Sequence, residues 1–337
     1  MRKASFDLSR VLAIAAVILV HTVMLFWDFD PASPTWILYN YISLSGHYCI
    51  PLFFMVSGAL LLGRECLDFK RHLRRMGHFV LLFYIWSAIC YGLDAAFFHV
   101  WTPGENFLLL VLAGYFHEWF LPALVLCYAA MPLLHGMIHG NQENTQSGAW
   151  LLCGLIAVLS TLRSLPDKSP LFAALMEPWN IGDLRYLIFF VAGWLLSDRL
   201  LSRRALTLLG AGALLSQLLL AHINRRYAIS IGGAIGVLYG NYTIAATLTA
   251  IFVFCLCRYF ESALSRFAAP LKTFSSCTFG IYLLHPVFID TLRSMHLNFT
   301  DYCTFWFFPL CYLSFLLLPL AVTYLLKKIP LLRDLVS

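Results

Sequence analysis

The chain has 337 residues, of which 61% are hydrophobic and 12% are charged. A water-soluble domain of this size cannot bury so many apolar side chains, so the composition excludes a soluble protein and predicts an all-α, polytopic membrane protein. The formal net charge of +6 is dispersed over many short loops, which argues against a nucleic-acid partner.

Ten apolar segments of helical length follow one another along the chain. They lie at about 8–27, 46–63, 77–98, 118–138, 149–165, 184–201, 205–223, 239–260, 274–295 and 304–326. Residues 106–116 are a further candidate for an interfacial or re-entrant helix. We therefore expect about ten transmembrane helices in a single membrane-embedded domain over residues 1–337.

The basic residues predict which side of the membrane each loop occupies. If both termini are cytoplasmic, sixteen Lys and Arg residues fall in inner loops and tails, and six fall outside. This distribution follows the positive-inside rule, so we expect cytoplasmic termini.

The first segment carries three ionisable residues, Asp7, Arg10 and His21. Such side chains are costly within a membrane and need a reason to be there. Eleven helical residues make about three turns, so Arg10 and His21 should share one face, about 16 Å apart along the axis. We expect that face to look into the protein. The alternative is that Asp7 and Arg10 form only a structural ion pair.

A basic group follows the second segment. Lys70, Arg71, Arg74 and Arg75 fall on two adjacent rows of a helix that enters the third segment. Guanidinium groups bind phosphate oxygens well, which favours a phosphate site. Positive residues beside a cytoplasmic helix end are also typical of any membrane protein.

Two later elements combine histidine with aromatic residues. His117, Glu118 and Trp119 begin the fourth segment, where Trp119 alone would be an interfacial anchor. Tyr282 and His285 share one face of the ninth segment, next to Pro286. His285 is as compatible with a structural hydrogen bond as with ligand binding.

The remaining ionisable residues and the cysteines have simpler interpretations. Asp183 and Arg185 should form an ion pair, and Asp94 and Asp290 are further acids at the ends of segments. The ten cysteines include no C-x-x-C pair, and most lie in apolar segments, where thiols act as small apolar side chains. The spacing indicates no metal site.

Four of these elements occur in an order that resembles acyltransferase family 3, the integral-membrane enzymes that move acyl groups from acyl-CoA to sugars and related acceptors. The elements are D-x-x-R-x10-H from Asp7, FF-x-x-SG from Phe53 with the arginines after it, H-x-W-F-L from His117, and G-I-Y-L-x-H-P from Gly280. The chain looks most like small, single-domain members that O-acetylate bacterial surface glycans.

The resemblance implies roles for the residues above. Arg10 and His21 would be catalytic, Lys70, Arg71, Arg74 and Arg75 would bind the CoA of acetyl-CoA, and the substrate-binding residues would be His117, Glu118, Trp119, Tyr282 and His285. His21 would act as a general base or carry the acetyl group itself, and the sequence leaves both routes open.

The expected function is acetyl transfer from cytoplasmic acetyl-CoA to a hydroxyl of a cell-surface or lipid-linked glycan. The protein would be a multi-pass protein of the bacterial cytoplasmic (inner) membrane. It would contact membrane lipids, and a homo-oligomer is a possible assembly.

The sequence is also compatible with two other functions. One is a transporter or flippase of a lipid-linked sugar, although no related halves are evident. The other is a catalytically silent sensor or scaffold.

Overall fold

The computed structural model describes residues 3–26, 30–98, 106–164, 169–232, 238–295 and 304–336. Within these ranges every regular element is helical, which confirms the predicted all-α class. The helices in chain order are α1 (Ala4–Val23), α2 (Pro34–Gly46), α3 (Cys49–Leu62), α4 (Phe69–Leu93), α5 (Phe107–Ala113), α6 (Phe120–His139), α7 (Gln142–Ser164), α8 (Pro170–Met176), α9 (Leu187–Ser197), α10 (Arg203–Ile231), α11 (Ile244–Tyr259), α12 (Glu261–Leu264), α13 (Ala268–Ser294), α14 (Thr304–Leu326) and α15 (Pro330–Arg333).

Seven stretches in the described parts of the chain are long and apolar enough to cross a membrane. They are Ala4–Val23, Pro34–Leu62, Phe69–Phe97, Phe120–His139, Gln142–Ser164, Arg203–Ile231 and Trp306–Leu326. Ile244–Tyr259 and Glu261–Ser294 pass the same test as a pair bent by 65°, which makes up to eight. The chain is thus a multi-pass membrane protein by the length and composition of its helices.

The predicted count of ten spans is not confirmed. The segment predicted at 184–201 forms α9, whose 11 residues are too short for a bilayer that needs about 20. The segment predicted at 239–260 forms α11, which has 16 residues and qualifies only together with the helices after it. Residue 27, the predicted end of the first segment, lies outside the described residues. The sides of the termini stay predictions.

The chain divides into two compact units. The first contains Met1–Val56 and Leu195–Ser337, and the second contains Ser57–Trp194. In the first unit, α1 packs against α2, α11, α13 and α14, so the helix with the predicted catalytic residues is central to it. In the second unit, α6 packs against α4 and α7, and α5 packs against α8.

The start of α1 is held by a carboxylate from another part of the first unit. Glu261 accepts hydrogen bonds from the backbone N–H groups of Ala4, at 2.8 Å, and Ser5, at 3.0 Å. Its second oxygen also lies 3.4 Å from Nη1 of the buried Arg258. A negative group at a helix N-terminus satisfies orphan N–H groups and complements the helix dipole.

Two glycines of the sequence motifs are explained by packing. A Cβ on Gly58 would lie 2.1 Å from the carbonyl oxygen of Phe190, so the SG element lets α3 and α9 touch through their backbones in the second unit. A Cβ on Gly280 would lie 2.4 Å from the Thr323 side chain, so this glycine brings α13 close to α14 in the first unit. Both glycines serve close approach of helices.

Candidate functional site

Arg10 and His21 lie on one uninterrupted helix, α1. The residues between them on the same face, including Ala13, Ile14 and Val17, are buried, whereas Arg10 and His21 keep part of their surface accessible. Asp7 is buried at the start of the helix. The face therefore looks mainly into protein, and the two polar side chains are its partly accessible positions.

His21 contacts a second predicted residue, His285 of α13. The two imidazole rings meet edge to face, with centroids 4.9 Å apart and planes inclined at 70°. Tyr282 is buried one turn from His285, and their ring centroids are 6.3 Å apart. The first and last motifs of the chain thus meet in the first unit.

Pro286 determines the tautomer of His285. Proline has no N–H, so the carbonyl of Tyr282, four residues earlier, lacks its usual helical donor. Nδ1 of His285 lies 2.7 Å from that oxygen and 3.2 Å from the carbonyl oxygen of Ile281. A carbonyl can only accept, so Nδ1 carries the hydrogen, and the lone pair of the neutral ring is on Nε2.

A third histidine, His47, belongs to the same unit and lies between α2 and α3. It interacts electrostatically with His21, as does Arg293 of α13. Nδ1 of His47 lies 3.4 Å from Oδ1 of Asn241, and its ring centroid is 5.9 Å from that of Tyr239.

Buried amides hold the segment that carries Tyr239 and Asn241. The Tyr239 hydroxyl donates to Oδ1 of Asn40 at 2.7 Å. Nδ2 of Asn224 donates to the same oxygen at 2.8 Å and to the Tyr239 hydroxyl at 2.7 Å. Asn40 and Asn224 are fully buried on α2 and α10. Hydrogen bonds between buried side chains of this kind rigidify the structure beside the histidine group, by which we mean His21, His47 and His285.

In the second unit, the four predicted phosphate-binding residues begin α4, as expected. Lys70, Arg71, Arg74 and Arg75 are all exposed on the first two turns of that helix. The Asp68 side chain caps the helix by accepting from the Arg71 N–H at 3.0 Å.

One residue of this basic group is held by aromatic rings. The guanidinium of Arg75 lies 5.9 Å from the ring centroids of both Phe79 and Tyr128. The buried His72 stacks on Tyr128 and contacts its carbonyl oxygen at 2.8 Å. Cation–π contacts of this kind orient a guanidinium without neutralising its charge.

The H-x-W-F-L element precedes α6 in the second unit. His117 and Glu118 are buried, and Trp119 is 39% exposed and stacked on Tyr186, with ring centroids 6.0 Å apart. The Ser87 hydroxyl, not the imidazole of His117, donates to Oε2 of Glu118. Oε1 of Glu118 is buried and has no hydrogen-bond partner among the residues that the structure describes.

Burial changes the protonation of Glu118. Burial away from solvent raises the pKa of its carboxyl group from an ordinary value of 4.5 to about 8. The hydrogen bond from Ser87 lowers this pKa but does not outweigh the effect of burial. The carboxyl group is therefore largely protonated at neutral pH.

The other predicted acids have structural partners. Asp183 pairs with Arg185 at 3.6 Å, which confirms that ion pair, and Asp290 pairs with Arg293 at 3.5 Å. Asp94 accepts from the Tyr115 hydroxyl at 2.8 Å.

The predicted residues are therefore distributed over both units. His21, Tyr282 and His285 come together in the first unit, which also contains Arg10. The second unit contains the basic residues of α4 and, separately, His117, Glu118 and Trp119. Four further residues were not predicted from the sequence, namely His47, Ser87, Asn40 and Asn224. The sequence does contain a signal for His47, because an ionisable residue stands there directly after a glycine in an apolar stretch.

Comparison with protein families identifies the chain. The family model described as an acyltransferase domain matches residues 3–328, nearly the whole length. The chain belongs to acyltransferase family 3. Comparisons with curated proteins and with solved structures found no match. Family membership supports a membrane acyltransferase, and the histidine pair of α1 and α13 is built from two of the elements that resemble the family.

Proposed function

We propose that this family 3 acyltransferase moves an acetyl group from cytoplasmic acetyl-CoA to a hydroxyl of a cell-surface or lipid-linked glycan. Within the family we assign it to the enterobacterial common antigen O-acetyltransferase subgroup, in the inner membrane of a bacterium. The observation that carries the proposal is the contact between two ionisable side chains, His21 and His285, within apolar helices. Such polar groups are expensive in a membrane and are retained for function.

The reaction needs a base and a positioned thioester. The imidazole of His21 takes the proton of the acceptor hydroxyl while the hydroxyl oxygen attacks the carbonyl carbon of the acetyl group. The carbon–sulfur bond breaks, and the proton passes to the sulfur to give the free thiol of CoA. Arg10, three turns away along α1, is suited to binding the CoA donor.

A second route uses His21 as the nucleophile. The imidazole then forms an acetyl-histidine and releases CoA before the acceptor binds. A burst of CoA release in the absence of acceptor, equal to one per protein, would identify this route. Direct transfer predicts no burst.

The basic residues of α4 are our candidates for the phosphates of CoA. All four are exposed on the first two turns of one helix, and guanidinium groups bind phosphate oxygens through paired hydrogen bonds. Arg203 and Arg204 begin α10 in a similar way and offer a matched control. Replacing Arg71 and Arg74 by alanine should raise KM for acetyl-CoA at least about tenfold, whereas replacing Arg203 and Arg204 should leave it within about twofold.

For the acceptor we propose, in the first unit, His285 and Tyr282 beside His21. In the second unit, taken by itself, we propose Trp119 with His117 and Glu118. The half-exposed ring of Trp119 is suited to the apolar face of a sugar, and buried hydrogen-bonding groups are suited to its hydroxyls. We also propose that the protein contacts membrane lipids and that it forms a homo-oligomer.

The test in cells is mass spectrometry of the surface polysaccharides. Cells with the gene should carry a polysaccharide that is heavier by acetyl increments, and cells without it, or with only His21→Ala, should lack them. Unchanged acetylation after deletion would contradict the proposal. Movement of a lipid-linked sugar across the membrane without acetyl-CoA consumption would identify a transporter instead.

A further inference from the structure

His47 interrupts a helix within a candidate membrane span. The stretch Pro34–Leu62 is long and apolar enough for one crossing, yet α2 ends at Gly46 and α3 begins at Cys49. Helices broken at membrane depth occur where the freed backbone lies in protein or lines a cavity, often at binding sites. An ionisable residue at such a break is a candidate for function.

Gly46 explains how His47 comes close to His21. A Cβ on residue 46 would lie 2.6 Å from Cγ2 of Val20 and 3.3 Å from the carbonyl oxygen of Ala16, so α2 approaches α1 as closely as glycine permits. Val20 directly precedes His21, and His47 directly follows Gly46. The close approach of the two helices at this level places both imidazoles within the range over which their charges interact.

The orientation of His47 determines which nitrogen is available. Nδ1 faces Oδ1 of Asn241 at 3.4 Å, and an amide oxygen only accepts, so Nδ1 carries the hydrogen. Nε2 then holds the lone pair, is buried, and has no hydrogen-bond partner in the described parts of the chain. A buried acceptor without a donor destabilises the folded protein, and a bound hydroxyl group would satisfy it.

We propose that His47 binds a hydroxyl of the acceptor saccharide through Nε2, next to the hydroxyl that reacts at His21. The inference rests on the proposed function for the chemical class of the acceptor. Saccharides carry hydroxyls on adjacent carbons, so two neighbouring imidazoles can each bind one, whereas a simple alcohol occupies only one. His47 is in this view a substrate-binding residue that favours polyhydroxylated acceptors.

Two substitutions separate the two nitrogens of His47. In His47→Asn the side-chain amide replaces Nδ1 and keeps the contact with Asn241, but nothing replaces Nε2. In His47→Gln the longer side chain supplies an acceptor near the former Nε2. Purified variants are assayed with acetyl-CoA and with graded amounts of membranes from cells that lack the gene, which carry the unacetylated acceptor.

We expect His47→Asn to raise KM for the acceptor at least about tenfold, with KM for acetyl-CoA within about twofold, and His47→Gln to keep KM for the acceptor within about threefold of wild type. Activity in the Asn variant but not the Gln variant would show that the contact with Asn241 matters instead, and would overturn the proposal. Equal loss in both variants, or no loss in either, would also overturn it.

Thermal unfolding of each variant separates these outcomes from misfolding, because a correctly folded His47→Asn should melt within a few degrees of wild type. The test also distinguishes the two proposals. A wild-type protein that consumes no acetyl-CoA would overturn the proposed function. An active wild type whose variants fail the expected pattern would overturn only the role of His47.

Discussion

The orientation of His285 depends on one neighbouring residue, Pro286. In Pro286→Ala the new N–H would donate to the carbonyl of Tyr282 and displace Nδ1 of His285. We expect kcat to fall at least about tenfold because the ring loses its tautomer and position, while the melting temperature stays the same or rises because alanine favours helix. Steady-state kinetics and thermal unfolding measure the two effects.

Pro319→Ala is the matched control for this substitution. Pro319 also lies inside a membrane helix, α14, and is buried, but no residue of the histidine group follows it. We expect its kcat to remain within about twofold of wild type. An equal loss of kcat in both variants would indicate a general effect of membrane-helix prolines and contradict the specific role of Pro286.

Glu118 predicts a pH dependence of stability. Its pKa is raised from 4.5 in the unfolded chain to about 8 in the folded protein, so the folded state binds the proton more tightly. Its contribution to stability is present below about pH 4.5 and is lost as the pH rises through about 8. Glu118→Gln removes this titration. The melting temperature of wild type relative to the variant should therefore fall between about pH 5 and pH 8, and a constant difference would contradict the raised pKa.

Some of these residue properties were predictable and others were not. The spacing of Arg10 and His21 predicts a shared face because α1 is a regular helix, and the structure agrees. The tautomer of His285 could have been predicted from the proline after it. His47 was not predictable as a partner of His21 because a contact between two helices depends on packing at Gly46, which no local periodicity encodes.

At the scale of secondary-structure elements, the approach of α2 to α1 is the feature that builds the histidine group. Gly46→Ala would place a methyl group 2.6 Å from Val20 and force the helices apart. Overpacking of this kind costs about 1–3 kcal/mol. We expect a lower melting temperature together with a higher KM for the acceptor, because His47 would move away from His21.

Gly212→Ala in α10 is the control for this prediction. A Cβ at residue 212 meets nothing within 4 Å, so the substitution should stabilise the helix slightly, by up to about 1 kcal/mol, with unchanged kinetics. Similar effects of both substitutions would contradict the close contact between α1 and α2.

Some helices were predicted well from the sequence, and the lengths of others were not. The long apolar runs of α1, α6 and α14 were recognisable from composition, and the start of α4 at the basic residues was expected. α9 and α11 were not recognised as short, because an apolar run does not reveal where a bend or a 3-10 turn divides it. The turn at residues 47 and 48 was missed for the same reason.

At the scale of the whole molecule, the crossing pattern is testable by chemical labelling. If the protein crosses ten times with cytoplasmic termini, α9 must cross, and residues 164 and 199 must lie on opposite sides. Ser164 and Arg199 are both exposed, so each can be replaced by cysteine, after serine has replaced the exposed Cys66 and Cys153, and also Cys303, which lies outside the described residues. A membrane-impermeant maleimide should label Ser164→Cys in spheroplasts and Arg199→Cys only in inverted vesicles.

Labelling of both positions from the same side would contradict the ten-span prediction and would agree with an α9 that does not cross. The basic residues supply the reason to expect otherwise, since Arg199, Arg203 and Arg204 would then lie outside, against the positive-inside rule.

The central claim is that an imidazole on α1 transfers an acetyl group. The most direct measurement is release of free CoA by the purified protein, given acetyl-CoA and membranes that carry unacetylated acceptor, with transfer of labelled acetyl to the glycan. Wild type should release CoA and label the glycan in equal amounts, and a folded His21→Ala should lose both by at least about 10²-fold. A folded His21→Ala that transfers acetyl groups at the wild-type rate would contradict the account.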